Sequence, residues 1–112
     1  MATITYDDFL KVDIRAGRII EVIAFERARQ PSYKLTIDFG HEVGIKRSSV
    51  QARRDYTADQ LRGRLCLAVV NFEPKNIAGF LSEVLVLGVP RADGSLALVR
   101  PDDEVVIGSR LY

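Results

Sequence analysis

The 112-residue chain carries 16 Lys and Arg against 15 Asp and Glu, a formal net charge of +1, with 47% hydrophobic and 28% charged residues. That length fits one domain, 1–112, large enough to hold a core without disulfides or metal. The composition is too apolar for disorder, and the near-neutral balance argues against indiscriminate coating of a polyanion.

In chain order, Thr5-Tyr6-Asp7-Asp8 reads as a capping box and predicts one helical turn through Phe9 and Leu10. Residues 13–25, rich in Ile and Val, predict a long strand, with Gly17 marking a bulge or sharp bend. Tyr33, Leu35, Ile37 and Phe39 alternate with Lys34, Thr36 and Asp38, the pattern of a half-buried strand. A turn over Phe39–Gly44 leads into the next strand at Val43 and Ile45, completing a hairpin. Thr57-Ala58-Asp59-Gln60 is a second capping box, and Gly63 suits the residue after a short helix.

Leu65–Phe72 predicts a buried strand, stopped before Pro74, which has no N–H for the ladder. Asn76–Ser82 reads as a loop and Val84–Leu87 as an apolar strand. Ala92-Asp93-Gly94-Ser95 is a hairpin turn. Leu96–Val99 and Val105–Ile107 predict short closing strands. The order is a long bent strand, a hairpin, a short helix, two further strands and an extra hairpin. This is the layout of an all-β, five-stranded OB-fold Greek-key barrel. It has an N-terminal helical turn, a short helix between strands three and four, and a C-terminal β extension. The barrel spans about 12–88. A β-sandwich is the competing arrangement, and the single helix after the third strand favours the barrel.

Catalytic chemistry finds little footing. Cys66 is the only cysteine, lies in an apolar run and reads as a small buried hydrophobe. His41, the only histidine, falls in the expected turn Gly40-His41-Glu42 and reads as solvated. No Cys/His cluster, glycine-rich phosphate loop or carboxylate pair at a plausible site is present, and the acidic run Asp102-Asp103-Glu104 after a proline reads as a solvated turn, so no enzyme activity, metal or cofactor is expected. No targeting signal is recognisable, and the apolar runs fall far short of the ~20 residues a membrane span needs. The expected setting is cytoplasmic and reducing, without membrane insertion.

The charges are unevenly placed. Residues 1–26 hold three bases and five acids, residues 27–64 nine bases and four acids, and residues 65–112 four bases and six acids. The segments carry −2, +5 and −2. The basic centre makes an anion-attracting face plausible. Lys34, Lys46, Arg47, Arg53 and Arg54, with Lys75 further on, are candidate contacts to RNA phosphates. Tyr33 and Tyr56 are candidates for stacking on unpaired bases, although the alternation at Tyr33 favours the core.

A second reading uses the same barrel to hold peptides. Phe72, Ile77 and Phe80 lie on or beside the loop after the fourth strand and would give an apolar rim. Ser48, Ser49, Gln51, Asn71 and Ser82 could bond a bound backbone. Each of these residues also has an ordinary structural reading, as a barrel cap or a strand end.

Three stretches then carry a resemblance: Phe9-Leu10-Lys11-Val12-Asp13-Ile14-Arg15-Ala16-Gly17-Arg18-Ile19, Gly44-Ile45-Lys46-Arg47-Ser48-Ser49-Val50-Gln51, and the run from Val69 to Gly88. They are similar to the tRNA-binding-domain family of OB-fold modules and, within it, to the CsaA-type export-related chaperones. The resemblance covers nearly the whole chain. It implies a chaperone that binds unfolded or precursor polypeptides in the OB-fold groove, with tRNA binding as the alternative. It also implies a homodimer built from the extensions at about 1–11 and 88–112. Two departures bear on tRNA. Ser82-Glu83 is followed by Val84-Leu85 where the wider family has Gly-Met, and Glu73 adds a negative charge beside the loop.

Overall fold

The computed structural model describes residues 1–112. Its elements are α1 (Tyr6–Leu10), β1 (Ile14–Ala24), β2 (Tyr33–Asp38), α2 (Gly40–Val43), β3 (Ile45–Val50), α3 (Ala58–Leu61), β4 (Leu65–Val69), β5 (Lys75–Ile77), β6 (Phe80–Ser82), β7 (Leu85–Val86), β8 (Gly88–Pro90) and β9 (Leu96–Leu98). Five of them form an antiparallel sheet in the order β3-β2-β1-β4-β7. The sheet curls until its two edges meet. The Glu83 amide donates to the Arg47 carbonyl at 2.8 Å, the Ser48 hydroxyl to the Val84 carbonyl at 3.0 Å, and the Ser49 amide to the Ser82 hydroxyl at 3.0 Å. The result is a nearly closed OB-fold barrel.

The alternation along β2 places Tyr33, Leu35 and Ile37 inside and leaves Lys34, Thr36 and Asp38 on the outer side. Ile19, Leu35, Ile37, Phe39, Leu61 and Cys66 are fully buried. Both capping boxes form: Thr5 with Asp8 starts α1, and Thr57 with Gln60 starts α3. No residue of α1 is buried, whereas α3 places Leu61 in the core.

Several local expectations are corrected. The irregularity in β1 lies between Ile19 and Glu21, where the pairing with β2 shifts register, not at Gly17. Gly17 answers a different need: a Cβ there would stand 2.6 Å from Ile37 Cγ2 and 2.6 Å from Phe39 Cε1. The expected turn before β3 contains one helical turn, α2. The segment read as a loop over 76–82 is largely the hairpin β5–β6, with Ile77 paired to Phe80. Its two turn residues, Ala78 and Gly79, both have positive φ (48° and 86°), as a two-residue hairpin of the primed type requires. Val105–Ile107 forms no strand. The chain instead runs back along β1: the Ala16 amide donates to the Ser109 carbonyl at 3.0 Å, and Arg110 forms an isolated bridge with Arg15.

Tyr33 and Tyr56 belong to the core. The Tyr33 hydroxyl donates to the Tyr56 carbonyl at 2.7 Å, and the Tyr56 hydroxyl accepts the Leu98 amide at 3.0 Å. The pair ties β9 to the barrel and offers no free ring for stacking.

Candidate functional site

Two concavities flank the β5–β6 hairpin. The larger opens where β3 and the strand following the barrel seam diverge. It has a volume of about 1120 Å³, somewhat above the roughly 300–1,000 Å³ of ordinary small-molecule pockets. Ser49 and Gln51 line it from β3 and the residue beyond, Phe72 and Ile77 from the hairpin side, and Leu85 and Leu96 from the C-terminal half. Phe72 is 57% and Leu85 49% exposed. Leu85 is exposed because β7 is short and only one of its faces is covered by the barrel. Asp55, Glu73, Glu83 and Asp93 also line this groove, against Arg54 and Lys75.

Three of the four acids are held in place. One oxygen of Asp55 accepts the Leu96 amide at 2.9 Å. Glu83 accepts the Arg47 amide at 3.0 Å, with Lys46 Nζ 4.0 Å from its other oxygen. The hydroxyl of Ser95, and then its amide, hold the Asp93 carboxyl below the ordinary carboxylate range.

The smaller concavity, about 370 Å³, is lined by Arg27, Lys34 and Arg47 with residues 78–81 of the hairpin. Lys34 and Arg47 reach it because β2 and β3 pair Lys34 with Ser49 and Thr36 with Arg47, putting both cations on the outer face. Beneath them lies Phe80, packed edge-on against Phe25 at 5.4 Å between centroids. Lys34 Nζ is 4.9 Å from the Phe25 centroid, and the Arg47 guanidinium is 4.6 Å from that of Phe80. Neither cation, nor Arg27, is within ion-pair distance of a carboxylate.

The residues singled out from sequence thus separate. Ser49, Gln51, Phe72, Ile77 and Ser82 share the large groove with Arg54 and Lys75. Lys34 and Arg47 share the small one with Phe80. Ser48 is fully buried, its hydroxyl bonded to the Val84 carbonyl across the seam. Phe80 is only 5% exposed. Asn71, just past the C-terminal end of β4, does not line the groove: its side chain accepts the Asp13 amide at 3.0 Å and donates to the Lys11 carbonyl at 2.7 Å, anchoring the N-terminal segment. Lys46 faces Glu83, and Arg53 lies 3.3 Å from Glu26. Sequence reasoning did not single out Leu85 or Arg27 as lining residues. Arg27 belonged to the basic centre. Leu85 lies in an apolar run that carries no mark of exposure.

His41 is exposed on α2 and Cys66 is buried, where desolvation pushes its thiol up to about 12. No three His, Cys, Asp or Glu side chains converge to hold a metal, and no helix is long and apolar enough to cross a membrane.

A nearly closed OB-fold barrel with a groove at its seam defines the class of small modules that bind chain-like ligands. Residues 14–110 match the family model described as "Putative tRNA binding domain". The crystal structure of the CsaA chaperone protein from Picrophilus torridus is 48% identical, with a TM-score of 0.91, covering 98% of this chain and all (100%) of that one. That of chaperone CsaA from Bacillus anthracis is 45% identical with a TM-score of 0.90, covering 99% of this chain and 100% of that one. The methionine–tRNA ligase of Parabacteroides distasonis is 33% identical over 109 residues, 96% of this chain but only 16% of the ligase. The chain belongs to the tRNA-binding-domain family, in its CsaA-type branch.

Proposed function

We propose that this protein is a cytoplasmic molecular chaperone with an export-related role, which holds unfolded or precursor polypeptide segments in the large groove. The observation that carries this reading is the joining of exposed apolar side chains, Phe72 and Leu85, with polar partners, Ser49, Gln51 and Ser82, in one open groove. The naming of two close structural relatives as CsaA chaperones supports it. Burial of apolar area drives such binding, so it survives moderate salt. The test is suppression of aggregation of a chemically unfolded client by wild type and by Phe72→Ala, with loss of suppression expected in the variant.

The second reading is tRNA binding, and a specific observation favours it: the unpaired cations Arg27, Lys34 and Arg47 converge on one depression. The family description points the same way. This activity falls steeply with salt, because each neutralised phosphate releases counterions. Among the basic candidates, Lys34 and Arg47 are the ones we assign to phosphate contact.

We also propose a homodimer. The helix α1 buries none of its residues, and Tyr6 (69%) and Val106 (78%) stand exposed on the two extensions. A two-fold interface would cover them. Light scattering is expected to give twice the 12.5 kDa chain mass; a 12.5 kDa species at micromolar concentration contradicts the dimer.

A further inference from the structure

The wall of the large groove is a free strand edge. From Leu85 to Arg91 the chain pairs on one side only. The Leu87 amide donates to the Leu67 carbonyl, the Val99 amide to the Leu87 carbonyl, and the Arg91 amide to the Ser95 carbonyl. Leu85 lies opposite Val69, and Val89 opposite Ala97. Every odd-numbered residue of this run thus turns its backbone inward, to β4 or β9. In an antiparallel ladder the alternate residues turn theirs the other way. Those are Val86, Gly88 and Pro90, and all three line the groove.

The opposite bank is incomplete for the same reason. In β3 the outward groups of Arg47 and Ser49 are taken up by Glu83 and Ser82 at the seam. Past Val84 the two banks part, and Gln51 lines the gap on the far side. The barrel therefore lacks one strand over the stretch where the groove is deepest in unpaired backbone. Pro90 supplies a carbonyl but no N–H at this edge, a feature that discourages edge-to-edge pairing with another copy.

We propose that the groove captures its polypeptide by strand addition: an extended segment hydrogen-bonds to the Val86–Gly88–Pro90 edge and completes the barrel. This rests on the reading of the groove as the polypeptide site, and specifies how that site works. Main-chain bonds give affinity without demanding a sequence, and side-chain surroundings set the preference. Leu85 and Val89, 49% and 56% exposed, flank the edge and take apolar side chains. The four lining carboxylates, Asp55, Glu73, Glu83 and Asp93, outnumber Arg54 and Lys75. The occupant is accordingly an extended segment alternating apolar residues with Lys or Arg. Nucleic acid is disfavoured here by the same charge.

The test uses the full chain and an unstructured peptide of about ten residues alternating Leu or Val with Lys and Ser. Two versions are N-methylated on alternate backbone nitrogens, in opposite phases. One phase is expected to lower affinity about tenfold or more, while the other leaves it close to that of the unmodified peptide. Amide exchange at Val86 and Gly88, fast in the free protein, is expected to slow at least about tenfold on binding. A version with Glu in place of Lys is expected to bind about tenfold more weakly; equal binding overturns the charge preference. If the peptide binds, and Phe72→Ala weakens it, yet both methylation phases act equally and the two amides stay unprotected, strand addition is overturned while the groove remains the polypeptide site. If the peptide does not bind and Phe72→Ala leaves client holding intact, the groove reading falls and this proposal with it. Protection of Val86 and Gly88 in the free protein that rises with protein concentration assigns the edge to a second copy and also overturns the proposal.

Discussion

The guanidinium of Arg47 on β3 lies 4.6 Å from the ring centroid of Phe80 on β6. Lys34 approaches the same ring at 5.3 Å. The hairpin thereby pins two cations above one aromatic floor, in a depression at its turn that shares no lining residue with the acidic groove. The basic and acidic surfaces of this barrel are adjacent but separate. That separation gives each proposed activity its own set of residues.

Paired charge reversal, Lys34→Glu with Arg47→Glu, is expected to weaken tRNA binding by tenfold or more. Both side chains are free of carboxylate partners, so their change breaks no ion pair in the fold. The slope of log affinity against log salt is expected to fall by roughly 0.7–0.9 for each phosphate that is no longer neutralised. Titration of tRNA at several salt concentrations measures both quantities. An unchanged slope removes these residues from the RNA surface.

Replacing Gly17 by Ala is expected to destabilise the barrel by about 1–3 kcal/mol, the usual cost of forcing extra volume into a packed core. The added carbon would meet Ile37 and Phe39, both fully buried and without room to retreat. Urea denaturation gives the difference directly. A variant as stable as wild type would show that β1 and β2 can move apart at this point.

Cys66 makes a pH-dependent prediction. Burial raises its thiol in the folded chain to about 12 from a reference near 9.0. The folded state thus keeps the proton that the unfolded chain releases. The contribution is full below pH ~9 and is lost as pH rises towards ~12. The stability difference between wild type and Cys66→Ala should shrink over that window. In the native protein the thiol should also resist a disulfide reagent at pH ~8, since little thiolate forms below so high a pKa. A difference that stays constant up to pH ~11 contradicts the assignment.

Much of the barrel was legible because its signals are local. The alternation over Tyr33–Asp38, the capping boxes at Thr5 and Thr57 and the Asp93-Gly94 turn each specify their structure within a few residues. The β5–β6 hairpin was not legible. Its strands have three residues each, and its turn needs a positive φ at Ala78, which is uncommon outside glycine. Val105–Ile107 has strand composition, but the structure offers it no partner edge. At the site, neighbouring residues in sequence part company in space: Arg53 meets Glu26, while Arg54 lines the groove. Charge counting located the basic segment but could not distribute its members between two concavities. The exposure of Leu85 depends on which face of a two-residue strand is covered, and periodicity cannot read that from so short a run.

A double change in the groove, Phe72→Ala with Leu85→Thr, removes the apolar contacts that polypeptide holding requires. Both side chains are about half exposed, so stability should change by no more than about 1 kcal/mol. The measurement is suppression of client aggregation by wild type and variant at low and moderately high salt, with equal folded fractions checked first. Wild type is expected to suppress aggregation at both salts, and the variant to lose most of this at both. Undiminished suppression by the variant, or suppression by wild type that disappears as salt rises, would contradict the groove as the polypeptide site.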